Sequence, residues 1–349
     1  MEFWQGKKIF LTGHTGFKGS WLSIWLQQLG ASVTGYSLEP PTSPSLFKLA
    51  KVSDGMQDIR GDVRDIESLN KALRESQAEI VIHMAAQSLV RDSYSFPVET
   101  YSTNVMGTVH VLEAARLQDG VRTVLNITSD KCYENSGLTR GYNEDDPMGG
   151  YDPYSSSKGC AELVTSAYRN SYFNGNKAVA SARAGNVIGG GDWAKDRLVP
   201  DIIRAAMNGR TVLLRNPHAI RPWQHVLDPL SGYLMLIEKL YTEGQPFAQG
   251  WNFGPSEQDT RPVEWIAQKI AALCGGLKWE KDNSANPHEA HYLKLDCSKA
   301  RTQLAWKPRF NLQKALEWTV LWYKRQAAGE DMRSTTEEQI KNYTGLPQA

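Results

Sequence analysis

The feature that most restricts this chain is a short apolar run that ends in three glycines, each separated from the next by two residues. Lys8 to Leu11 reads as a strand that ends in Thr12-Gly13, where Gly13-His14-Thr15-Gly16-Phe17-Lys18-Gly19 begins. From Gly19 to Leu29, Trp21, Leu22, Trp25, Leu26 and Leu29 then recur at helical spacing. Glycines let the backbone turn sharply and approach phosphates closely. The helix start offers free N–H groups and the positive end of its dipole. Three glycines alone also suit an ordinary tight turn, but the strand before and the helix after favour a dinucleotide's pyrophosphate, held by Gly13, Thr15, Gly16, Phe17 and Gly19.

The alternation continues. Ala31 to Tyr36 and Met56 to Ile59 read as strands, Ile66 to Glu75 as a helix, and Glu79 to Met84 as a buried strand. Thr103 to Leu117 reads as one long helix and Thr123 to Thr128 as a strand. This pattern predicts an α/β chain, a Rossmann-like doubly wound parallel sheet with helices on both faces. A length of 349 residues suits about two domains. The expected division is an NAD-binding domain over 1–185, with segments from about 223–256 returning to it. A smaller, discontinuous C-terminal α/β substrate domain would occupy 186–330, and 331–349 would be a polar tail that adds little to the core. Helices are expected over Val226 to Tyr241, Pro262 to Cys274 and Asn311 to Gln326, with a strand-like run ending at Trp251 to Ser256.

A net charge of +1 gives no field that would draw in nucleic acid or a membrane surface, so an anionic substrate would need a local basic site. No apolar run has the length of a signal peptide core or a membrane span. Cys132, Cys160, Cys274 and Cys297 form no C-x-x-C pair and no zinc-type spacing with histidine. Free thiols, no metal and a cytoplasmic location are expected. The acid that usually binds the adenosine ribose is missing from the end of the second strand, Gly35-Tyr36-Ser37-Leu38-Glu39-Pro40. No Arg or Lys between Tyr36 and Phe47 would hold a 2′-phosphate, which favours NAD over NADP. Asp62, followed by Val63 at another strand end, is a candidate for the adenine amino group, or a solvated turn carboxylate.

Tyr154-Ser155-Ser156-Ser157-Lys158 places a phenol and an ammonium at i and i+4, one above the other on a helix. A nearby cation favours phenolate, so the tyrosine pKa is expected to fall and the phenol to serve as a base. The pattern is common on surfaces. It gains meaning from its order after the glycine turn and after a strand that ends at Thr128-Ser129.

With these elements the chain resembles the extended short-chain dehydrogenase/reductase family over nearly its whole length. The likeness includes His83-Met84-Ala85-Ala86, Asn104 in the next helix, and Arg221-Pro222-Trp223-Gln224-His225-Val226. It implies that Ala85, Ala86 and Asn104 contact the cofactor. It also implies that Ser129 bonds a sugar 4-oxygen, that Tyr154 removes its proton, and that Lys158 holds the nicotinamide ribose as well. Asp130 and Lys131 follow Ser129. The family's 4-epimerases usually carry small or non-ionisable residues there, and its 4,6-dehydratases ionisable ones, because loss of water needs an acid and a base. Asp130 is expected to be the acid at O6, with a raised pKa. Lys131 is expected to be the base at C5, partly neutral, or else an electrostatic stabiliser of the enolate. The Asp-Lys pair resembles the branch that acts on CDP-glucose, whereas the dTDP-glucose branch typically has Asp-Glu.

The same resemblance assigns Asn186 and Arg221 to the substrate diphosphate. It also assigns Gly189-Gly190-Gly191-Asp192-Trp193, with Arg197, to a substrate loop. His288, His291 and Tyr292 are candidates to close the site, and Tyr292 is counted among the substrate contacts. The family usually dimerises through the helices that carry Tyr154 and Thr103 to Leu117, so a homodimer or a dimer of dimers is expected. A 4-epimerase, a dehydratase for another nucleotide sugar (including the GDP-mannose type) and a non-catalytic NAD sensor stand as alternatives.

Overall fold

The computed structural model describes residues 2–138, 140–276, 278–282 and 293–346. Among them, one seven-stranded parallel sheet runs through the molecule. Its strands are β1 (Lys8–Thr12), β2 (Ser32–Ser37), β3 (Gln57–Arg60), β4 (Ile80–His83), β5 (Thr123–Ile127), β6 (Ala178–Arg183) and β7 (Gly250–Asn252). Their order across the sheet is β7-β6-β5-β4-β1-β2-β3. The order reverses between β1 and β4, and ligands of open α/β sheets bind at such a switch point, outside the carboxyl ends of the strands.

The central strands read as unbroken apolar runs because both of their faces are covered. Ile9, Leu11, Ile80, Ile82 and Leu125 join one core, while Phe10, Val81 and Val124 join the other. α1 (Phe17–Gln28) lies on the first face. Its Trp21, Leu22, Ile24, Trp25 and Leu26 are all buried, as befits a helix covered all round. α2 (Ile66–Ser76) and α3 (Gly107–Leu117) pack on the second face.

Two expectations need correction. The long helix predicted over Thr103 to Leu117 contains a π turn at Ser102–Met106 before α3 begins. Apolar spacing does not register one extra residue in a turn. The C-terminal segment is also not a tail with little share in the core. Met332–Thr344 is a helix, and it packs against α1. Met332, Ile340 and Tyr343 are buried in it, and the Tyr343 hydroxyl donates to Asp228 Oδ1 at 2.9 Å. Its many polar residues hid a sparse apolar stripe.

The helix that carries Tyr154, α4 (Pro153–Ser171), is tied to the sheet by a buried ion pair. Arg183, at the end of β6, donates to Glu162 Oε2 at 2.8 Å, and both side chains are about 5% exposed. Ser181 of β6 and Thr128, just past β5, donate to the same carboxylate. Arg183 also donates to the Tyr133 hydroxyl at 2.6 Å. Loss of one partner would strand a buried charge, which typically costs about 3–5 kcal/mol. Arg183→Met should therefore lower the unfolding free energy by that amount in denaturant titrations followed by tryptophan fluorescence. A loss below about 1 kcal/mol would show that the pair is dispensable.

Candidate active site

Three chain segments converge at the carboxyl ends of β1, β4, β5 and β6. The first is the glycine turn. Gly13 has φ +77°, and a Cβ there would lie 2.6 Å from the Ala85 nitrogen. A Cβ on Gly19 would lie 2.1 Å from the Gly13 carbonyl oxygen. The turn is thus pressed against the loop after β4 and has room only for bare backbone. Gly16 precedes α1, and no side chain caps the N–H groups of its first turn. Thr15 has its hydroxyl bonded to Ser37 Oγ (2.8 Å) and to the Leu38 carbonyl (3.0 Å), so it shapes the turn. Phe17 lines the cleft beyond.

The second segment is α4. Asp152 caps it by accepting from the Ser155 N–H at 2.9 Å, and Pro153 takes the first helical position. Tyr154, Lys158 and Glu162 follow at four-residue steps, all buried and on one face. The expected lowering of the phenol by Lys158 is not what the structure shows. Burial pushes Tyr154 up to about 12, against the opposing effect of its hydrogen bond with Ser129. Burial also brings Lys158 down to about 8, with Glu162 opposing. Lys158 donates to the Ile127 carbonyl at 3.5 Å. For both groups the loss of water outweighs the attractions available.

The third segment leaves β5. Ser129 caps a single 3₁₀ turn, Asp130–Cys132. Its Oγ accepts from the Lys131 N–H at 3.2 Å, donates to Asp130 Oδ1 at 3.0 Å, and is hydrogen-bonded to the Tyr154 phenol. Asp130 is buried beneath Gly185, where a Cβ would fall 1.9 Å from its Oδ2. Sequence reasoning missed Gly185 as a site residue, and its place at the head of a glycine-rich stretch was the available signal. Lys131 is half-buried and lines the same cavity.

That cavity encloses ≈ 310 Å³, and Ser129, Asp130, Lys131, Tyr154, Asn186, Arg197 and Arg221 face it. Asn186 adopts φ +32°, a conformation that Asn tolerates better than most residues. Arg197 donates to Asp192 Oδ2 (2.9 Å) and to Ser88 Oγ (2.9 Å). Asp192 lines the same cavity and also accepts from the Ala194 N–H, so its carboxylate aims Arg197. Asn104 is likewise committed. It accepts from the Gln87 N–H (2.8 Å) and donates to the Gln87 carbonyl (3.0 Å) and to Ser157 Oγ (2.8 Å). It braces the loop that carries the half-buried Ala85 and Ala86 against α4. Asp62 is gripped by Arg64, which lowers its pKa, and Val63 beside it is buried.

The acid missing from the end of β2 has a neighbour on β3. Asp58 lies 2.8 Å from His14 Nε2, and both Asp58 and Glu39 pair with Arg60. Arg60 reaches this region from β3, but its charge is already matched by two carboxylates. His288, His291 and Tyr292 lie outside the described residues. Among the described residues, no group of His, Cys, Asp and Glu could hold a metal ion.

A family model described as GDP-mannose 4,6 dehydratase matches residues 10–319. A CDP-glucose 4,6-dehydratase of Salmonella typhimurium is 57% identical, over 98% of this chain and 97% of its own. A probable dTDP-glucose 4,6-dehydratase of Sinorhizobium fredii is 26% identical, over 90% and 92%. Among solved structures, MoeE5 in complex with UDP-glucose and NAD superposes with a TM-score of 0.78 at 26% identity, covering 92% of this chain and 99% of the other. The dTDP-glucose 4,6-dehydratase of Bacillus anthracis, in complex with NAD, gives 0.77 at 22% identity, over 93% and 99%.

One side chain that lines the cavity was not read from the sequence as a site residue. Lys18, in the first turn of α1, lines the cavity with its ammonium 5.8 Å from the centre of the Tyr233 ring. Burial, then Lys158 and Arg197, bring it down to about 7, and Asp130 opposes them. A cation at the positive end of a helix dipole is unfavourable, and that was the signal. Because Lys18 is depressed from its ordinary 10.5, the unfolded chain binds more protons than the folded one between about pH 7 and 10.5. The resulting cost is greatest below about pH 7 and fades as pH rises toward 10.5. Lys18→Met should therefore raise the melting temperature by a few degrees near neutrality, and by less at alkaline pH. A gain that does not depend on pH, or a loss near neutrality, would contradict this electrostatic cost.

Proposed function

This chain belongs to the GDP-mannose 4,6-dehydratase family, and from that premise we propose that it converts CDP-D-glucose to CDP-4-keto-6-deoxy-D-glucose and water, using NAD. The observation that carries this is the presence of Asp130 and Lys131 on one cavity wall with Ser129 and Tyr154. Oxidation alone needs the last two, and loss of water needs the first two as well. The product is of the kind that feeds bacterial deoxysugar and O-antigen synthesis.

The residues fit a nicotinamide dinucleotide. The turn at Gly13 and Gly19 is too tight for side chains, α1 begins with uncapped N–H groups, and the cavity runs from Phe17 and Lys18 to Tyr154. Gly13, Thr15, Gly16, Phe17 and Gly19 would hold the pyrophosphate, Asp62 and Val63 the adenine end, and Ala85, Ala86, Tyr154 and Lys158 the nicotinamide end. When bound, NAD accepts a hydride from C4 and returns it to C6.

The chain's own residues supply the proton chemistry. Ser129 bonds the 4-oxygen, and Tyr154 takes the 4-hydroxyl proton. A ketone at C4 makes the C5 proton acidic, and Lys131 removes it. Asp130 protonates the departing 6-hydroxyl, and Lys131 then returns its proton to C5. Arg221, Arg197 and Asn186 carry the diphosphate, with Asp192 fixing Arg197. Exposed Phe96, Val98, Met106, Leu117 and Leu163 lie on or next to α3 and α4, which supports assembly as a homodimer or a dimer of dimers through those helices. Among the described residues no helix is long and apolar enough to cross a membrane, in keeping with a cytoplasmic enzyme.

Incubation with CDP-, dTDP-, GDP- and UDP-glucose should give a product lighter by one water, with CDP-glucose favoured at least tenfold in kcat/KM. A product of unchanged mass would mark a 4-epimerase and overturn the dehydratase assignment. Lys131→Met should still oxidise C4 but should lose solvent deuterium exchange at C5 by about a hundredfold or more, the usual scale for general base catalysis. Undiminished exchange would remove Lys131 as the base.

A further inference from the structure

Given that reading of the chain as a 4,6-dehydratase, the protons of one turnover do not cancel at each residue. The hydride leaves C4 and arrives at C6. The C5 proton is taken and put back. What remains is one proton gained where Tyr154 stands and one spent where Asp130 stands. Left uncorrected, every cycle would end with Tyr154 protonated and Asp130 ionised.

We propose that Ser129 joins these two residues in a closed proton relay, so that the proton taken from the 4-hydroxyl is the one that departs in the water. The link from Ser129 to the acid already runs the right way. Ser129 donates to Asp130 Oδ1 at 3.0 Å, is bonded to the Tyr154 phenol, and accepts from the Lys131 N–H at 3.2 Å. A hydroxyl has one donor and two acceptor sites, so with Asp130 and the Lys131 N–H served, one acceptor site is left for the phenol proton. Tyr154, Ser129 and Asp130 are 8%, 6% and 2% exposed, so exchange with bulk water is poor along the whole path.

The raised phenol has a place in this scheme. With Tyr154 pushed up to about 12, the ring rests protonated near neutrality and can accept a proton only by passing its own along. As the C4–H hydride leaves for the nicotinamide, the 4-hydroxyl O–H breaks and C4=O forms. The 4-hydroxyl proton goes to the Tyr154 oxygen, the phenol proton goes to Ser129 Oγ, and the serine proton goes to Asp130 Oδ1. Asp130 becomes a carboxylic acid just as the ketone that permits elimination appears. Lys131 takes the C5 proton, the C6–O6 bond breaks, and the Asp130 proton leaves in the water. Hydride return to C6 and proton return to C5 complete the product. Tyr154 is again a phenol and Asp130 again a carboxylate that accepts from Ser129.

CDP-6-deoxyglucose tests the relay, because it can be oxidised at C4 but has no 6-hydroxyl to lose. Enzyme in stoichiometric amount, with NAD, is mixed with this analogue in weakly buffered indicator dye. Released protons are counted per 4-ketone formed, after subtraction of any released on binding CDP. The wild type should release none, because the proton stays on Asp130. Ser129→Ala and Asp130→Asn should each release one per ketone, and Ser129→Thr should restore the wild-type value. One proton per ketone from the wild type, or none from Ser129→Ala, overturns the relay. None from Asp130→Asn also overturns it, because a proton kept by Tyr154 itself would leave wild type and variant alike at zero. Failure of the wild type to form ketone from either this analogue or CDP-glucose would instead sink the dehydratase reading on which the relay rests.

Discussion

The buried ion pair between Glu162 and Arg183 is the constraint on which the site depends. Glu162 lies one helical turn past Lys158 and two past Tyr154, on the same face of α4. Its carboxylate receives Arg183 and Ser181 from β6 and Thr128 from the end of β5. Arg183 continues the network to the Tyr133 hydroxyl, which donates to Asn252 of β7. One carboxylate therefore sets the helix that presents the phenol against the strand end that presents Ser129. Buried pairs of this kind add little net stability compared with an apolar replacement. Their value here is register: a slip of α4 by one residue would leave both charges without partners.

Much of this was legible from the sequence, and the reasons differ from residue to residue. The glycine turn is legible because phosphate binding needs bare backbone, and only glycine supplies it. The Tyr154–Lys158 pair is legible because helical geometry brings i and i+4 together. The Ser129-Asp130-Lys131 turn is legible through family resemblance, since nothing local in three polar residues says that they face a cavity. Asp58 was missed because its place beside the glycine turn depends on strand order: β3 lies beside β2, so an acid far along the chain meets His14. The helix over Met332–Thr344 was missed because its buried stripe is diluted by charged residues. Lys18 was passed over because attention in a glycine turn goes to the glycines.

The direction in which Tyr154 shifts was also misjudged, and the error is instructive. Pairing a phenol with an ammonium lowers its pKa only where the attraction exceeds the loss of hydration. Here both groups are buried, and each moves toward its neutral form: Tyr154 up to about 12 and Lys158 down to about 8. Sequence spacing reports proximity but not dielectric. A protonated phenol is a poor base by itself, so proton abstraction at O4 needs somewhere for the phenol's own proton to go. The same low dielectric that raises Tyr154 strengthens its hydrogen bond to Ser129.

The short turn after β5 divides its two catalytic groups by their access to water. Asp130 is buried below Gly185 and in contact with Ser129, whereas Lys131 is half-buried on the same cavity. A 3₁₀ turn eclipses residues three apart and so directs adjacent ones to different sides. An acid so little exposed is poorly recharged from bulk water, and Ser129 is the side chain placed to recharge it from within. A base with a route to solvent can exchange its proton before returning it. The proton delivered to O6 should therefore carry the history of the substrate's own hydroxyl, while the proton at C5 records the solvent. That asymmetry follows from one glycine at position 185 and one serine at position 129.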